Sequence, residues 1–345
     1  MRVWELKDRF GLHNLVRADR PAPQPGPGPG QARVRMTAAT LNYRDLLVVE
    51  GRYNPKLRLP LVPVSDGAGV VEAVGDGVTR FRPGDRVVGV FFQGWLEGEP
   101  SAEKLATGLG AGREGVLCER RVFDEAGLLP APESLSDAEA AALPCAGVTA
   151  WSAIVTLGRV RPGDMVVVQV TGGVALFALQ FAKRLGATVI LTSSDDAKLA
   201  RGRALGADHL VNYRTDPDWS RPVKTLTDGR GADLIVEIGG AGTLAQSIRA
   251  VRVGGTIAMI GVVAGAAASD VPLPLVVMRQ VRMQGVTLGS RADFEAMLRA
   301  YAAARLHPAL DEQRFAFEDA PGGLQAHGVG RTRRQDRDRV LTAAR

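Results

Sequence analysis

Apolar positions along this chain fall into runs separated by glycine turns. Val166-Val-Val-Gln-Val170 is β-branched and nearly continuous, the pattern of a strand covered on both faces. Thr171-Gly172-Gly173 interrupts it, and the stretch from Val174 to Leu185 is apolar almost all round, which predicts a buried helix opening at Val174. After Gly186-Ala187 a second apolar run extends from Thr188 to Leu191. Strand, tight turn, helix and strand make half of a nucleotide-binding fold. The rhythm continues with a helix through Leu205, a short strand with a polar exit within 206–214, and strands over 233–237, 256–261 and 282–288. Six strands with crossover helices predict an α/β fold with a doubly wound parallel sheet. The first ~120 residues read instead as all-β. Strand candidates at 3–6, 15–17 and 32–38 surround a stiff Pro/Gly connector at 21–30, and a helix-like turn begins at Thr40. Over 64–89, two strand runs separated by Gly and Pro-Gly-Asp turns suit a small barrel.

Length and composition bound this reading. At 345 residues the chain exceeds one comfortable core, so two domains are expected. Hydrophobic residues make up 46% and mean hydropathy is +0.01, values of a soluble globular chain with no apolar run long enough to span a bilayer. Charges start at Arg2, so no secretory leader is expected, and the cytoplasm is the expected compartment. Two cysteines, Cys118 and Cys145, are too few for a disulfide framework or a structural zinc site, and both read as packed small hydrophobes. A net charge of +6 and a pI of 9.7 raise the question of nucleic acid. Yet residues 331–345 alone carry six arginines against two aspartates, and the body is close to neutral. A nucleic-acid face therefore has little support outside the tail.

At the central turn, Gly172 and Gly173 let the backbone approach a pyrophosphate, and the following helix offers free N–H groups and a positive dipole end. The full dinucleotide fingerprint wants glycine at three places. Here the first is Val170 and the third Ala175; alanine is an accepted third residue, whereas valine is not an accepted first. Taken alone, the Gly-Gly pair is also compatible with an ordinary packing turn.

Several ordered motifs decide between these readings. The segments Ser65-Asp-Gly-Ala-Gly-Val-Val-Glu-Ala-Val-Gly75, Arg82-Pro-Gly-Asp-Arg-Val-Val-Gly89, Leu143-Pro-Cys-Ala-Gly-Val-Thr149-Ala-Trp151 and Thr171-Gly-Gly-Val174 resemble the medium-chain dehydrogenase/reductase superfamily. Asn42-Tyr-Arg-Asp45 with Tyr53, and Asn212-Tyr213-Arg214, are similar to its zinc-independent quinone oxidoreductase branch. The resemblance runs from the N-terminus to about Pro321. It implies a GroES-like β-barrel catalytic domain over 1–125 and 291–345, a Rossmann domain over 126–290 inserted into it, and an active site in the cleft between them. A homodimer through the edge of the Rossmann sheet is the family's habit.

A catalytic zinc needs three Cys, His or Glu ligands from separate elements. Where zinc members of the superfamily carry a cysteine this chain has Asn42, and where they carry Gly-His-Glu it has Ser65-Asp66-Gly67. The loop over 93–115 contains no cysteine, and His13, His209, His307 and His327 lie in unrelated segments, so no zinc is expected. NAD enzymes place an acid about twenty residues past the glycine turn. That position holds Thr192 and Ser193, an uncharged exit where Ser193, Ser194, Lys198, Tyr213 and Arg214 would receive the 2′-phosphate of NADPH, with NADH the alternative. Asp195 and Asp196 would repel that phosphate unless they cap the next helix, which is the reading taken. Lys198 reads equally as a solvated lysine on a helix face.

Without a metal, hydride transfer needs an acceptor whose developing negative charge is spread by conjugation, as in a quinone or enone, and a hydrogen-bond donor beside its oxygen. By analogy with the family, Asn42 and Tyr53 are the donor candidates, with Arg44 a further one. Thr149, Gly261, Val262, Leu288, Gly289 and Ser290 would hold the nicotinamide end, and Gly239 with Gly240 would lie under a ribose. Bland alternatives are a loop anchor for Tyr53 and a helix-interior hydroxyl for Thr149. The loop over 91–115, with Trp95, reads as a substrate cover or a plain connector. After Pro321 the pattern departs from the family, with glycine and arginine in place of a helix and a final apolar strand, so residues 322–345 are expected to form an atypical, loosely packed tail. Two classes of function follow. One is an NADPH-dependent reductase of conjugated carbonyls, with alcohol dehydrogenase its nearest rival; the other is a non-catalytic nucleotide- or nucleic-acid-binding protein on the same scaffold.

Overall fold

The computed structural model describes residues 1–22, 26–268, 270–311, 313–329 and 339–342, with 327–329 and 339–342 by backbone alone. The chain divides into two units, Met1–Ala146 with Ser290–Arg345, and Gly147–Gly289.

In the first unit, β1 (Arg2–Leu6) and β2 (Leu15–Asp19) pair antiparallel by themselves. The main sheet is organised by β3 (Gln31–Leu41), which begins as a half-covered strand with Ala32, Val34 and Met36 buried and is buried without interruption from Ala38 to Leu41. The helix α1 (Tyr43–Val49) follows directly. Next, β4 (Asp66–Val74) pairs antiparallel with β3 and sets Asp66 opposite Thr40. Then come β5 (Arg86–Gly89), the short α2 (Ala102–Leu105), β6 (Arg120–Asp124), β7 (Leu128–Pro130) and α3 (Asp137–Ala141). β5 pairs with β4 and β7, while β6 takes the free edge of β3 from Gln31 to Arg35. Val34, Leu41, Val71, Val87, Leu117 and Phe123 meet in its core. Because β7 bonds to β5, the stretch after 125 lies with this unit, and the division falls at Ala146 rather than at 125.

The second unit opens with α4 (Val148–Trp151) and continues as β8 (Met165–Gln169), α5 (Gly173–Arg184), β9 (Thr188–Ser193), α6 (Asp196–Ala204), β10 (His209–Asn212) and α7 (Ser220–Thr225). It ends with β11 (Ala232–Glu237), α8 (Ala241–Ala250), β12 (Val251–Met259), α9 (Leu273–Met278) and β13 (Arg282–Gly285). The six strands are parallel in the order β10-β9-β8-β11-β12-β13, the doubly wound sheet that the apolar runs predict. Val166, Val167 and Val168 are fully buried in the central strand, as a sheet covered on both faces requires. On α5, Phe177 and Phe181 are buried, and Trp151 meets Phe181 edge to face at 5.4 Å.

The chain then returns to the first unit through α10 (Arg291–Ala304), β14 (Arg314–Ala316), α11 (Ala320–Val329) and β15 (Arg339–Thr342). This corrects the expectation of a loose tail for two stretches of it. α11 buries Ala320 and Leu324, and at Gly323 a Cβ would come within 3.0 Å of Leu41, so this glycine permits close packing on β3. β15 pairs antiparallel with Ala38–Leu41 of β3 and parallel with β14, supplying the strand that seemed absent. The expectation for 330–338 and 343–345, which hold most of the arginines, lies outside the described residues.

At Gly69, where β4 crosses β3, a Cβ would stand 2.3 Å from the Arg35 carbonyl oxygen. Gly69→Ala is therefore expected to lower stability by about 2–4 kcal/mol, measured by denaturant unfolding, because backbone on both strands must move.

Candidate active site

In a parallel sheet of this order, β8 and β11 lie side by side while the chain leaves them in opposite directions, opening a crevice at their carboxyl ends. The predicted coenzyme residues of the second unit largely converge on that edge. Thr171, Gly172, Gly173 and Val174 follow β8; Ser193 ends β9 and Ser194 follows it; Tyr213 and Arg214 follow β10; Gly239 follows β11; Gly261 and Val262 follow β12; Leu288 and Gly289 lie beyond β13. Thr149 is 3% exposed on α4, between two π-helical turns. Ser290 belongs to the first unit, where its hydroxyl donates to Asp293 at 2.6 Å in the capping box of α10.

The crevice residues have the properties an anion site needs. α5 opens on Gly172 without a side-chain cap, so its first-turn N–H groups are suited to an anion, whereas at α8, which opens on Gly240 at φ 78°, the Ala241 and Thr243 N–H groups donate to the Gly265 and Gly240 carbonyls. By contrast, Asp195 caps α6, accepting from the Lys198 N–H at 3.2 Å. Asp196 accepts from Asn212 Nδ2 at 2.7 Å. Both acids at the β9 exit are thus engaged within the protein. Val170, at the first fingerprint position, has φ 59°, the left-handed region that glycine adopts freely and valine does not. The motif departs from glycine in residue type but keeps glycine's backbone, at the cost of local strain.

One feature at this edge escaped the sequence reading. Gln169 and Glu237, the last residues of β8 and β11, are 2% and 0% exposed. Gln169 Nε2 donates to Glu237 Oε2 at 2.7 Å and to Ser247 Oγ at 2.9 Å. Its Oε1 accepts the N–H groups of Ile238 and Gly239, while Glu237 Oε1 accepts from Thr243 Oγ1 and from the N–H of Gly240 at 2.9 Å. Every lone pair aimed at the loop is used, which holds 238–240 in one conformation. The available signal was a lone amide within a β-branched run.

In the first unit, α1 and the start of β4 gather the predicted donors into a buried polar cluster. Arg44 packs its guanidinium between the rings of Tyr53 and Phe91, at 4.8 and 4.9 Å, and donates to Asp45 at 2.9 Å and to the Leu109 carbonyl at 3.1 Å. Asp45 also accepts the Asn42 backbone N–H at 2.8 Å, fixing the first turn of α1. Asn42 is 8% exposed and Tyr53 45%. Among the described residues, Asn42 Nδ2, Thr40 Oγ1 and Arg44 Nε are buried without a hydrogen-bond partner. Asp66, fully buried, accepts from Ser65 Oγ at 2.7 Å and from the Cys145 N–H at 2.9 Å. Burial, and then the charge of Asp45, push its carboxyl up to about 7, against the opposing pull of Ser65, Cys145 and Asn42.

The two cysteines part company here. Cys118 is packed in the core, its thiol pushed up to about 12 by burial. Cys145 is only partly buried, and its backbone N–H donates to Asp66 of the polar cluster, so it is less enclosed than a packed hydrophobe. The loop around Trp95 is tied down, since the Trp95 and Leu96 carbonyls accept the N–H groups of Arg291 and Ala292 at 2.9 Å each.

The family model of the alcohol dehydrogenase GroES-like domain matches residues 28–133, and that of the zinc-binding dehydrogenases matches 173–303. A zinc-type alcohol dehydrogenase-like protein of Schizosaccharomyces pombe is 41% identical over 290 residues, covering 83% of this chain and 84% of the relative. The crystal structure of an NAD-dependent alcohol dehydrogenase superposes with a TM-score of 0.89 at 39% identity, covering all of both chains. A quinone oxidoreductase of Pseudomonas syringae pv. Tomato superposes at 0.80 with 29% identity, over 99% of this chain and 100% of the other. The chain belongs to the medium-chain dehydrogenase/reductase superfamily, with a GroES-like unit and a Rossmann-like unit. It is an oxidoreductase of a nicotinamide-dependent family, and the uncapped glycine turn fits that coenzyme.

The zinc in the family's name does not fit equally well. Among the described residues, no three His, Cys, Asp or Glu side chains form a group able to hold a metal ion. Asn42 and Ser65, beside Asp66, offer neither the thiolate nor the imidazole that a catalytic zinc takes.

The raised Asp66 pKa has a direct consequence for stability. Its carboxyl holds a proton in the folded state up to about pH 7 and releases it near 3.8 when unfolded. The native state therefore binds more protons between these values, and stability is lost as pH rises through that window. Relative to Asp66→Asn, the protein should lose on the order of 2–4 kcal/mol between these limits, measured by denaturant unfolding at a series of pH values.

Proposed function

We propose that this protein is a zinc-independent, NADPH-dependent reductase that delivers hydride to a conjugated carbonyl, a quinone or an enone. The observation that carries the reading is the donor set of the first unit. It comprises a buried carboxamide whose Nδ2 lacks a full hydrogen bond, at the position where zinc members of the family carry a cysteine, a guanidinium packed on two rings and an accessible tyrosine. A nicotinamide coenzyme, its pyrophosphate held by the N–H groups after Gly172 and Gly173, would supply the hydride. Asn42 and Tyr53 then act as hydrogen-bond donors to the carbonyl oxygen, and Arg44 holds Tyr53 by its ring. A donor of this strength suffices for an acceptor that delocalises charge and falls short for an isolated ketone.

For the coenzyme, Asp195 and Asp196 are engaged by a helix cap and by Asn212, and Ser193, Ser194, Lys198, Tyr213 and Arg214 around the β9 exit are the groups suited to a 2′-phosphate. The rival reading, alcohol oxidation with NAD, draws support from the likeness to an NAD-dependent alcohol dehydrogenase. Fluorescence titration with NADPH and NADH separates the two: NADPH should bind about tenfold more tightly, and Arg214→Ala should erase most of that preference. Preference for NADH, or stoichiometric zinc in a metal assay, would move the assignment to the alcohol dehydrogenases.

A second copy of the chain is the proposed partner. β13 has a free edge and four exposed residues, and beside it in sequence Leu273, Val277 and Met278 on α9 are 62%, 73% and 79% exposed. An open strand edge with apolar flanks is self-complementary across a two-fold axis. Sedimentation analysis should find a dimer that Val277→Asp with Met278→Asp converts to monomer. No helix among the described residues is long and apolar enough to cross a membrane.

A further inference from the structure

The cluster around Asn42 holds two fully buried carboxyl groups, Asp45 and Asp66, and one guanidinium. Arg44 bonds directly to Asp45 and has no direct bond to Asp66. Asp45 is further held by the Asn42 backbone N–H. Asp66 accepts from the Ser65 hydroxyl and the Cys145 N–H, and the Asn42 side chain also favours its anion. A carboxylic acid is served by this pair, since a hydroxyl can accept as well as donate. A buried carboxylate needs a further donor. The Asn42 carboxamide acts on Asp66 as a hydrogen-bond partner that favours the anion, while the geometry of its Nδ2 falls short of a full hydrogen bond to any acceptor among the described residues. The same N–H is therefore available to two acceptors.

Resting on the reductase reading above, we propose that Asp66 is a positioning residue: its carboxylate competes with the substrate carbonyl for the Asn42 side-chain N–H, and a proton on Asp66 releases that N–H to the substrate. The charged and titratable groups facing Asp66 are Asp45 and Arg44 from α1 and Cys145 from the turn before α4. Asp45 disfavours the anion, and Arg44 and the Cys145 N–H favour it, so the balance stands close enough to neutrality for the proton to come and go. At lower pH Asp66 is neutral and Asn42 serves the substrate. At higher pH the anion captures the amide.

Methyl vinyl ketone with NADPH serves as the assay. For the unaltered enzyme, kcat/KM should fall about tenfold between a plateau below neutral pH and one above it, the worth of one hydrogen bond to a developing charge, while KM for NADPH stays level. Asp66→Asn should remove this fall. Asn42→Ala should be low at every pH, and the double variant should match Asn42→Ala. A folded Asp66→Asn enzyme that keeps the fall, or a double variant showing the product of the two single effects, overturns the proposal. A second readout needs no turnover. The infrared carbonyl band of the Asp66 acid, taken as the difference from Asp66→Asn, should titrate near neutral pH and move up by about one pH unit in Asn42→Ala. If neither methyl vinyl ketone nor menadione is reduced, the reductase reading fails and this band alone decides. A band that Asn42→Ala leaves unmoved overturns the competition between the two acceptors.

Discussion

The structure depends most on the junction of β8 and β11, where adjacent parallel strands send their chains to opposite faces. The two strands are locked at both ends by acids. At the amino end, Asp233 accepts the Met165 N–H at 2.8 Å, and Arg230 and Arg252 hold its carboxyl down to about 2 despite partial burial. At the carboxyl end, Glu237 and Gln169 satisfy each other and the loop that follows. A crevice with walls fixed in this way keeps its N–H groups pointed at a ligand without having to order them on binding.

Strain marks one turn in each unit. Val170 opens the glycine turn at φ 59°, and Val64 precedes Ser65 and Asp66 at φ 73°, each a β-branched residue in the left-handed region. Such conformations persist only where surrounding packing over-determines them, and Val64 is fully buried. The buried polar cluster of the first unit works by a similar principle. Three polar atoms without partners and a carboxyl pushed up to about 7 are costly in a core.

The metal question illustrates how residue type and position combine. One family model carries the name of zinc, yet Asn42 and Ser65 supply neither thiolate nor imidazole in that corner of the first unit. The residues instead suit hydrogen bonding to a neutral oxygen. Chemistry on a common scaffold is set by such local exchanges and not by the fold.

The parallel sheet, its six strands and the position of the glycine turn were legible from the chain because continuous β-branched runs and glycine breaks are local properties. Helix capping by Asp195 was legible for the same reason. The Gln169–Glu237 network and the Asp45–Asp66–Arg44 cluster were not, since each joins residues distant in sequence whose meaning appears only when strands are set side by side. The glycines after Pro321 misled for a related reason: Gly323 looks like a helix breaker until β3 is seen packed within 3.0 Å of its would-be Cβ. Local pattern thus determined the elements and their order, whereas burial and long-range pairing decided which polar groups carry charge, which are spoken for and which are left for a ligand.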